Sequence, residues 1–195
     1  PLIASDMDPS SPFFVAMADK NTVQSIMFVN SGGYMSKPDY DSPAAHAAQI
    51  GGAGGITNGR GLAGMYAPLA CGGSKDGTEY VDRDTLSRMG AISSATGRDV
   101  VLLIPSRFSL GFMKTMDNRK QPQGYQDSVI MGEDAFGHAG LGGSLGFADP
   151  GVEMSFGYTM NSLGQGTGLN ERGQSLVDAA YRSLGCTSNA SGGWQ

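Results

Sequence analysis

The stretch LGFADPGVEMSFGYTM, 145–160, constrains this chain more than any other. Val152, Met154, Phe156, Tyr158 and Met160 alternate there with Glu153, Ser155, Gly157 and Thr159. A period of two belongs to a strand with one covered face, because successive strand side chains point to opposite sides. Asp149-Pro150-Gly151 carries turn chemistry: the Asp side chain bonds nearby backbone, proline fixes φ, and glycine tolerates positive φ. Leu145 and Phe147 therefore fall on the partner strand of an antiparallel hairpin. Such a hairpin needs a layer over its apolar face. Asn170 can cap a closing helix with Leu176, Val177, Ala180, Tyr181 and Leu184 on one side and Gly185 at its end. The expected class is α/β of the α+β kind, an antiparallel sheet with a C-terminal helix packed on it.

Upstream, Asn58 can cap a helix whose Leu62, Met65, Tyr66 and Leu69 share one face, which Pro68 disturbs and Gly72-Gly73 ends. SKDGTEYV reads as a tight turn with a short strand, and Asp82 as the cap of a helical segment through Leu86 and Met89. The apolar run VVLLI and the alternating RFSLGFM read as strands, the latter with Phe108, Leu110 and Phe112 on one face. Residues 114–134 are polar, with a proline and two glycines, and are expected to loop over the surface. Residues 1–44 form an irregular lead-in of short apolar pieces among Pro, Ser, Asp and Gly. The tail, 186–195, is expected to fray, with Trp194 mobile.

Composition excludes several function classes. The net charge is −5, and the 13 Lys and Arg are dispersed, so no basic stripe marks a nucleic-acid partner. No apolar run is long enough to span a bilayer. Cys71 and Cys186 offer no C-x-x-C pair and no disulfide framework; they read as small buried hydrophobes, which favours a reducing, cytoplasmic setting. Thirty-one glycines follow no repeat and mark turns and close approaches instead. There is no P-loop, dinucleotide fingerprint, His-Glu-x-x-His, Gly-x-Ser-x-Gly elbow or cluster of metal ligands, so neither a cofactor nor a metal is expected. His46 reads as a partly exposed helical residue, the eleven methionines as core filler, and Asn189-Ala190-Ser191 as a chance match to a glycosylation motif.

His138, one of only two histidines, is left as the chemically distinctive residue. It precedes Ala139, Gly140, Leu141, Gly142 and Gly143, small residues around one leucine, where a ligand can approach the backbone. A histidine satisfied by a neighbouring strand is the bland alternative.

The ordered set FGHAGLGG, SLGFADP, MSFGYTMN and LVDAAYRSLG, with the upstream RGLAGMYAPLACGG, DRDTLSRM and RFSLGFM, resembles the C-terminal half of the serine β-lactamase-related family. That family comprises class C β-lactamases, DD-peptidases and β-lactamase-like carboxylesterases. The likeness runs over about 45–184 and is only weak over 1–44. It implies that 45–185 are the C-terminal part of a hydrolase domain. His138-Ala139-Gly140 resembles the family's Lys-Thr-Gly motif, whose lysine is often His or Trp in the esterase branch. The backbone N–H of Leu141 would then be one of two oxyanion-hole donors, and Ala139, Gly140, Gly142 and Gly143 would face substrate. Ala139 lacks the usual threonine hydroxyl, which counts against recognition of a β-lactam carboxylate.

The family's nucleophile motif, Ser-x-x-Lys, and its Tyr-x-Asn are absent: Ser36-Lys37 and Ser74-Lys75 have the wrong spacing, and YTMN at 158–161 carries an extra residue. The resemblance therefore implies the C-terminal piece of a longer serine hydrolase, acting on small esters or amides through an acyl-serine, with its N-terminal half as partner. A non-catalytic scaffold of the same fold and an unrelated α/β ligand-binding domain are the alternatives.

Overall fold

The computed structural model describes residues 11–29, 42–164, 166–189 and 192–195. Ser36-Lys37, most of the Asn189-Ala190-Ser191 motif and much of the lead-in lie outside them. Three short helices come first: α1 (Pro12–Ala18), α2 (Val23–Val29) and α3 (Pro43–Ala47), the last carrying an exposed His46. Helix α4 (Gly59–Ala70) begins where expected, because the Asn58 side chain accepts the Gly61 N–H, and it contains Pro68. A hairpin follows, β1 (Ser74–Lys75) and β2 (Thr78–Glu79), turned through Asp76 and Gly77 at φ 50° and 77°. Asp-Gly at such a pair of left-handed positions is the favoured two-residue turn. Helix α5 (Arg83–Gly90) is capped by Asp82 on the Thr85 N–H.

Six antiparallel strands then add in chain order: β3 (Ser94–Thr96), β4 (Ser106–Phe108), β5 (Met113–Lys114), β6 (Phe136–Ala139), β7 (Leu145–Asp149) and β8 (Met154–Tyr158). Helix α6 (Glu171–Ser183) closes the chain, with the Asn170 side chain accepting the Gly173 N–H. Register decides what each face holds. Gly137 pairs with Phe147, which pairs with Phe156, and this face joins Val177 and Tyr181 of α6 in the main core. Phe136 pairs with Ala148 on the other face, which packs with Tyr66 and Ala70 of α4 and Leu86 of α5. Helix α4 comes this close because its row of the sheet is glycine: Gly146 pairs with Gly157, and a Cβ on Gly146 would lie 2.6 Å from the Tyr66 ring and 2.7 Å from Leu62 Cγ.

Several local expectations are corrected. VVLLI is a turn instead of a strand: Leu103 takes φ 62°, Val100 is 78% exposed, and the Asp99 carboxylate accepts the N–H groups of Val101 and Leu102. RFSLGFM is a hairpin of β4 and β5 rather than one strand, bent where Gly111 takes φ 84° and leaving Leu110 exposed. The 114–134 excursion returns to the core, where Val129, Ile130 and Met131 are buried and Met116 bridges Val129. Met65 faces outward, as do Leu176 and Leu184, so the apolar stripes of α4 and α6 are narrower than their spacing suggested. Cys71 is exposed. Trp194 is not frayed: it is 7% exposed, its ring stacks on Tyr181 at 5.6 Å, the Arg182 guanidinium lies over it, and its backbone N–H donates to the Met131 carbonyl.

Candidate functional site

Strand β6 ends in a turn whose geometry follows from its glycines. The Gly140 N–H donates to the Ser144 carbonyl at 2.7 Å, and the Gly143 N–H returns to the Gly140 carbonyl at 2.9 Å. Leu141 and Gly142 are thus the central pair of a β-turn, and Gly142 at φ 83° makes it the type II form that glycine favours. Gly143 follows at φ 105°. In this turn the N–H of the first central residue points away from the closing hydrogen bond. The Leu141 N–H accordingly has no acceptor among the described residues, while those of Gly140, Gly142 and Gly143 are all bonded. Leu141 stands at the tip, 42% exposed.

His138 projects from the α4 face of the sheet opposite Gly146 and is exposed. Its Nδ1 lies 2.6 Å from the Ala139 carbonyl oxygen. A carbonyl only accepts, so Nδ1 carries a proton, and of the two neutral tautomers the contact selects the one whose Nε2 is an acceptor. The Phe108 ring lies 6.4 Å away, centroid to centroid. Ala139 sends its methyl into the core, 3% exposed, so it can offer a ligand only its backbone. Gly142 and Gly143 are buried, with Gly142 tied to the next loop through its N–H on the Gly166 carbonyl at 3.3 Å. The structure therefore brings His138 and Leu141 to one exposed strand end and places Ala139, Gly142 and Gly143 behind them.

Two clefts, of about 540 and 600 Å³, lie elsewhere: one beside Arg107, Asn118 and Glu133, the other between Arg119, Asp127 and the start of α6. Neither is lined by His138 or Leu141. Among the described residues no group of three or more His, Cys, Asp or Glu could hold a metal ion, and no helix is long and apolar enough to cross a membrane.

The sheet and its terminal helix match solved β-lactamase-fold enzymes over part of their length. A family VIII carboxylesterase superposes with a TM-score of 0.63 at 35% identity, over 73% of this chain and 36% of that one. The chain is thus similar to part of β-lactamase-related carboxylesterases and penicillin-binding-protein homologues. Within that likeness, EstA from Arthrobacter nitroguajacolicus superposes with a TM-score of 0.65 at 25% identity, over 92% of this chain and 43% of its own. A penicillin-binding protein homologue from Caulobacter crescentus gives 0.53 at 32%, over 64% and 31%. In sequence, the esterase/beta-lactamase LipL of Mycobacterium tuberculosis is 34% identical over 116 residues, 60% of this chain. The chain spans 24% of that relative's length. No family model matches it.

Sequence reasoning singled out His138 and Leu141 but read 136–143 as one strand, whereas β6 ends at Ala139 and a turn follows. It missed what holds the turn from behind. Gly142 oxygen accepts both the Gly164 N–H and the Asn170 Nδ2, each at 2.9 Å, and Asn170 had been legible only as a helix cap. Asp127 in turn anchors Thr167, close in the chain to these contacts, by accepting its N–H at 2.7 Å and its hydroxyl.

Proposed function

We propose that this chain supplies the oxyanion-stabilising strand of a serine hydrolase of the β-lactamase-like esterase type, which cleaves small esters or amides through an acyl-serine. Residues 45–185 are, on this reading, the C-terminal part of the hydrolase domain. The serine and lysine come from a segment outside this sequence, which contains no Ser-x-x-Lys. The observation that carries the reading is the Leu141 N–H, unpaired among the described residues at the tip of a turn whose other N–H groups are bonded.

The chemistry asks for that arrangement. When a serine oxygen attacks an ester carbonyl, negative charge grows on the carbonyl oxygen, and a donor fixed beforehand stabilises it without reorganising. Loss of one such donor typically costs about 3 kcal/mol in the transition state. His138 stands three residues before Leu141 on the same strand end. In the neutral tautomer selected by the Ala139 carbonyl, Nε2 can accept a hydrogen bond from substrate or leaving group, which a lysine ammonium at that position could not do. Collapse of the tetrahedral adduct expels the alcohol or amine, and water then hydrolyses the acyl-serine.

The test is labelling of the complete polypeptide that carries this chain with a fluorophosphonate probe, read by denaturing intact-mass and peptide spectrometry. A probe adduct on a serine outside these 195 residues, with hydrolysis of p-nitrophenyl butyrate, is the expected result. An unlabelled polypeptide would leave a non-catalytic scaffold of the same fold as the better account.

A further inference from the structure

We propose that Asn170 is a positioning residue for the donor turn, holding the Leu141 N–H in place through the Gly142 carbonyl. The proposal rests on the reading of Leu141 given above. Asn170 occupies the N-cap of α6, where its Oδ1 accepts the Gly173 N–H at 3.2 Å. Capping needs only that oxygen, and Ser, Thr or Asp would serve equally. The other end of the carboxamide does something a cap does not require: Nδ2 donates to the Gly142 carbonyl at 2.9 Å, across 28 residues of chain. The orientation of the amide is fixed by its partners, since an N–H faces one end and a carbonyl the other.

The surrounding glycines are shaped around this side chain. A Cβ on Gly143 would lie 2.7 Å from Asn170 Cγ, and one on Gly164 would lie 3.1 Å from the same atom. Gly142 itself is held at both ends, its N–H on the Gly166 carbonyl and its oxygen under the Gly164 N–H and Asn170 Nδ2. The peptide units on either side of Gly142 are thus held, and the second of them, whose Gly143 N–H donates to the Gly140 carbonyl at 2.9 Å, restrains the Gly140–Leu141 unit that carries the Leu141 N–H. Asn170 ties that orientation to the first turn of α6, a rigid element, and a donor must be preorganised to stabilise a transition state.

Asn170→Asp and Asn170→Ser separate the two roles, since both keep a capping oxygen and neither presents the amide donor. In the complete polypeptide, hydrogen exchange of the Gly142 and Gly143 amides is expected to accelerate about tenfold. The kcat for p-nitrophenyl butyrate should fall about tenfold at unchanged KM, the pattern of an interaction felt only in the transition state. Parental exchange rates in both variants would overturn the proposal. So would accelerated exchange with parental kcat, or loss of the fold in both, which would make Asn170 purely structural. If the parent itself does not hydrolyse the ester, the oxyanion reading of Leu141 fails, and exchange alone decides whether Asn170 holds the turn.

Discussion

Replacing Tyr181 by Phe removes one oxygen from the centre of the main core and leaves every ring contact in place. The Tyr181 ring is 1% exposed and lies parallel to Phe147 and Trp194, 6.1 and 5.6 Å from their centroids. Its hydroxyl donates to Asp149 Oδ2 at 2.6 Å and accepts the Gly132 N–H at 2.8 Å. Asp149 is 2% exposed, and its other oxygen accepts the Gly151 N–H. A hydrogen bond to a charged group contributes about 1.5–3 kcal/mol, and a buried donor left unsatisfied costs about 1–3 kcal/mol. With partial relaxation the variant is expected to lose about 3 kcal/mol at pH 7. For a chain of this size that lowers Tm by roughly 6–12 °C.

The pH dependence gives a second, independent reading of the same hydroxyl. Burial, and then the Asp149 charge and hydrogen bond, hold the Tyr181 phenol far above its ordinary range, so it stays protonated in the folded state. The unfolded phenol ionises near pH 10. The stabilisation linked to this group is therefore intact below about pH 10 and is lost above it, at about 1.4 kcal/mol per pH unit, because only the unfolded state releases the proton. Tyr66, also raised by burial, adds to the wild-type slope, and Tyr181→Phe should remove the Tyr181 share. Urea unfolding at pH 7, 10 and 11 is the assay. A loss under about 1 kcal/mol at pH 7 with an unchanged alkaline slope would refute the account.

His138→Ala should keep Tm within about 2 °C, because the ring is exposed and bonds only its neighbouring carbonyl, while lowering kcat for ester hydrolysis about tenfold. An unchanged kcat removes His138 from the site. Lys114 is 3% exposed, its pKa lowered chiefly by burial and held up in part by Asp134, and its ammonium has no hydrogen-bond acceptor among the described residues. Lys114→Met should therefore be neutral or stabilising by about 1–2 kcal/mol at pH 7. That gap should narrow as pH rises toward the ordinary lysine range, because there the unfolded lysine holds its proton longer than the folded one. A loss above about 1 kcal/mol at pH 7 contradicts this. Gly137→Ala drives a methyl against the Gly146 carbonyl and the Phe147 backbone of the adjoining strand and should cost about 3 kcal/mol in urea unfolding. A cost below about 0.5 kcal/mol would show that the strands separate freely there.

The elements that were legible in the sequence are those decided within a few residues. Asn58, Asp82 and Asn170 each cap the helix that follows them, and Met154 and Phe156 turn to the main core as their alternation implied, although α4 covers the other face of the hairpin, which the alternation did not predict. The failures share a cause. RFSLGFM keeps its period of two across a bend, and alternation alone cannot tell one strand from two with Gly111 between them. VVLLI is apolar enough for a strand, yet the Asp99 carboxylate just before it captures its backbone and turns it. Trp194 looked like an end residue because nothing nearby in sequence covers it; Tyr181 and Arg182 do so from the helix before.

The same division runs inside single side chains, in the core, in a surface turn and behind the candidate site. Asp149 accepts the Gly151 N–H with one oxygen, the turn role its sequence announces, and the Tyr181 hydroxyl with the other. Asp99 divides its oxygens between its own turn and Ser106. Asn170 caps its helix with Oδ1 and reaches Gly142 with Nδ2. In each case the near half follows from local turn or cap chemistry, and the far half exists only once the fold has brought a distant partner within 3 Å. His138 could be singled out because histidine is scarce in this chain, and Leu141 because a strand end followed by glycines resembles a known motif. Asn170 carried no such signal. Its distinguishing atom is the amide nitrogen, and a helix N-cap by itself gives no reason to expect a nitrogen there.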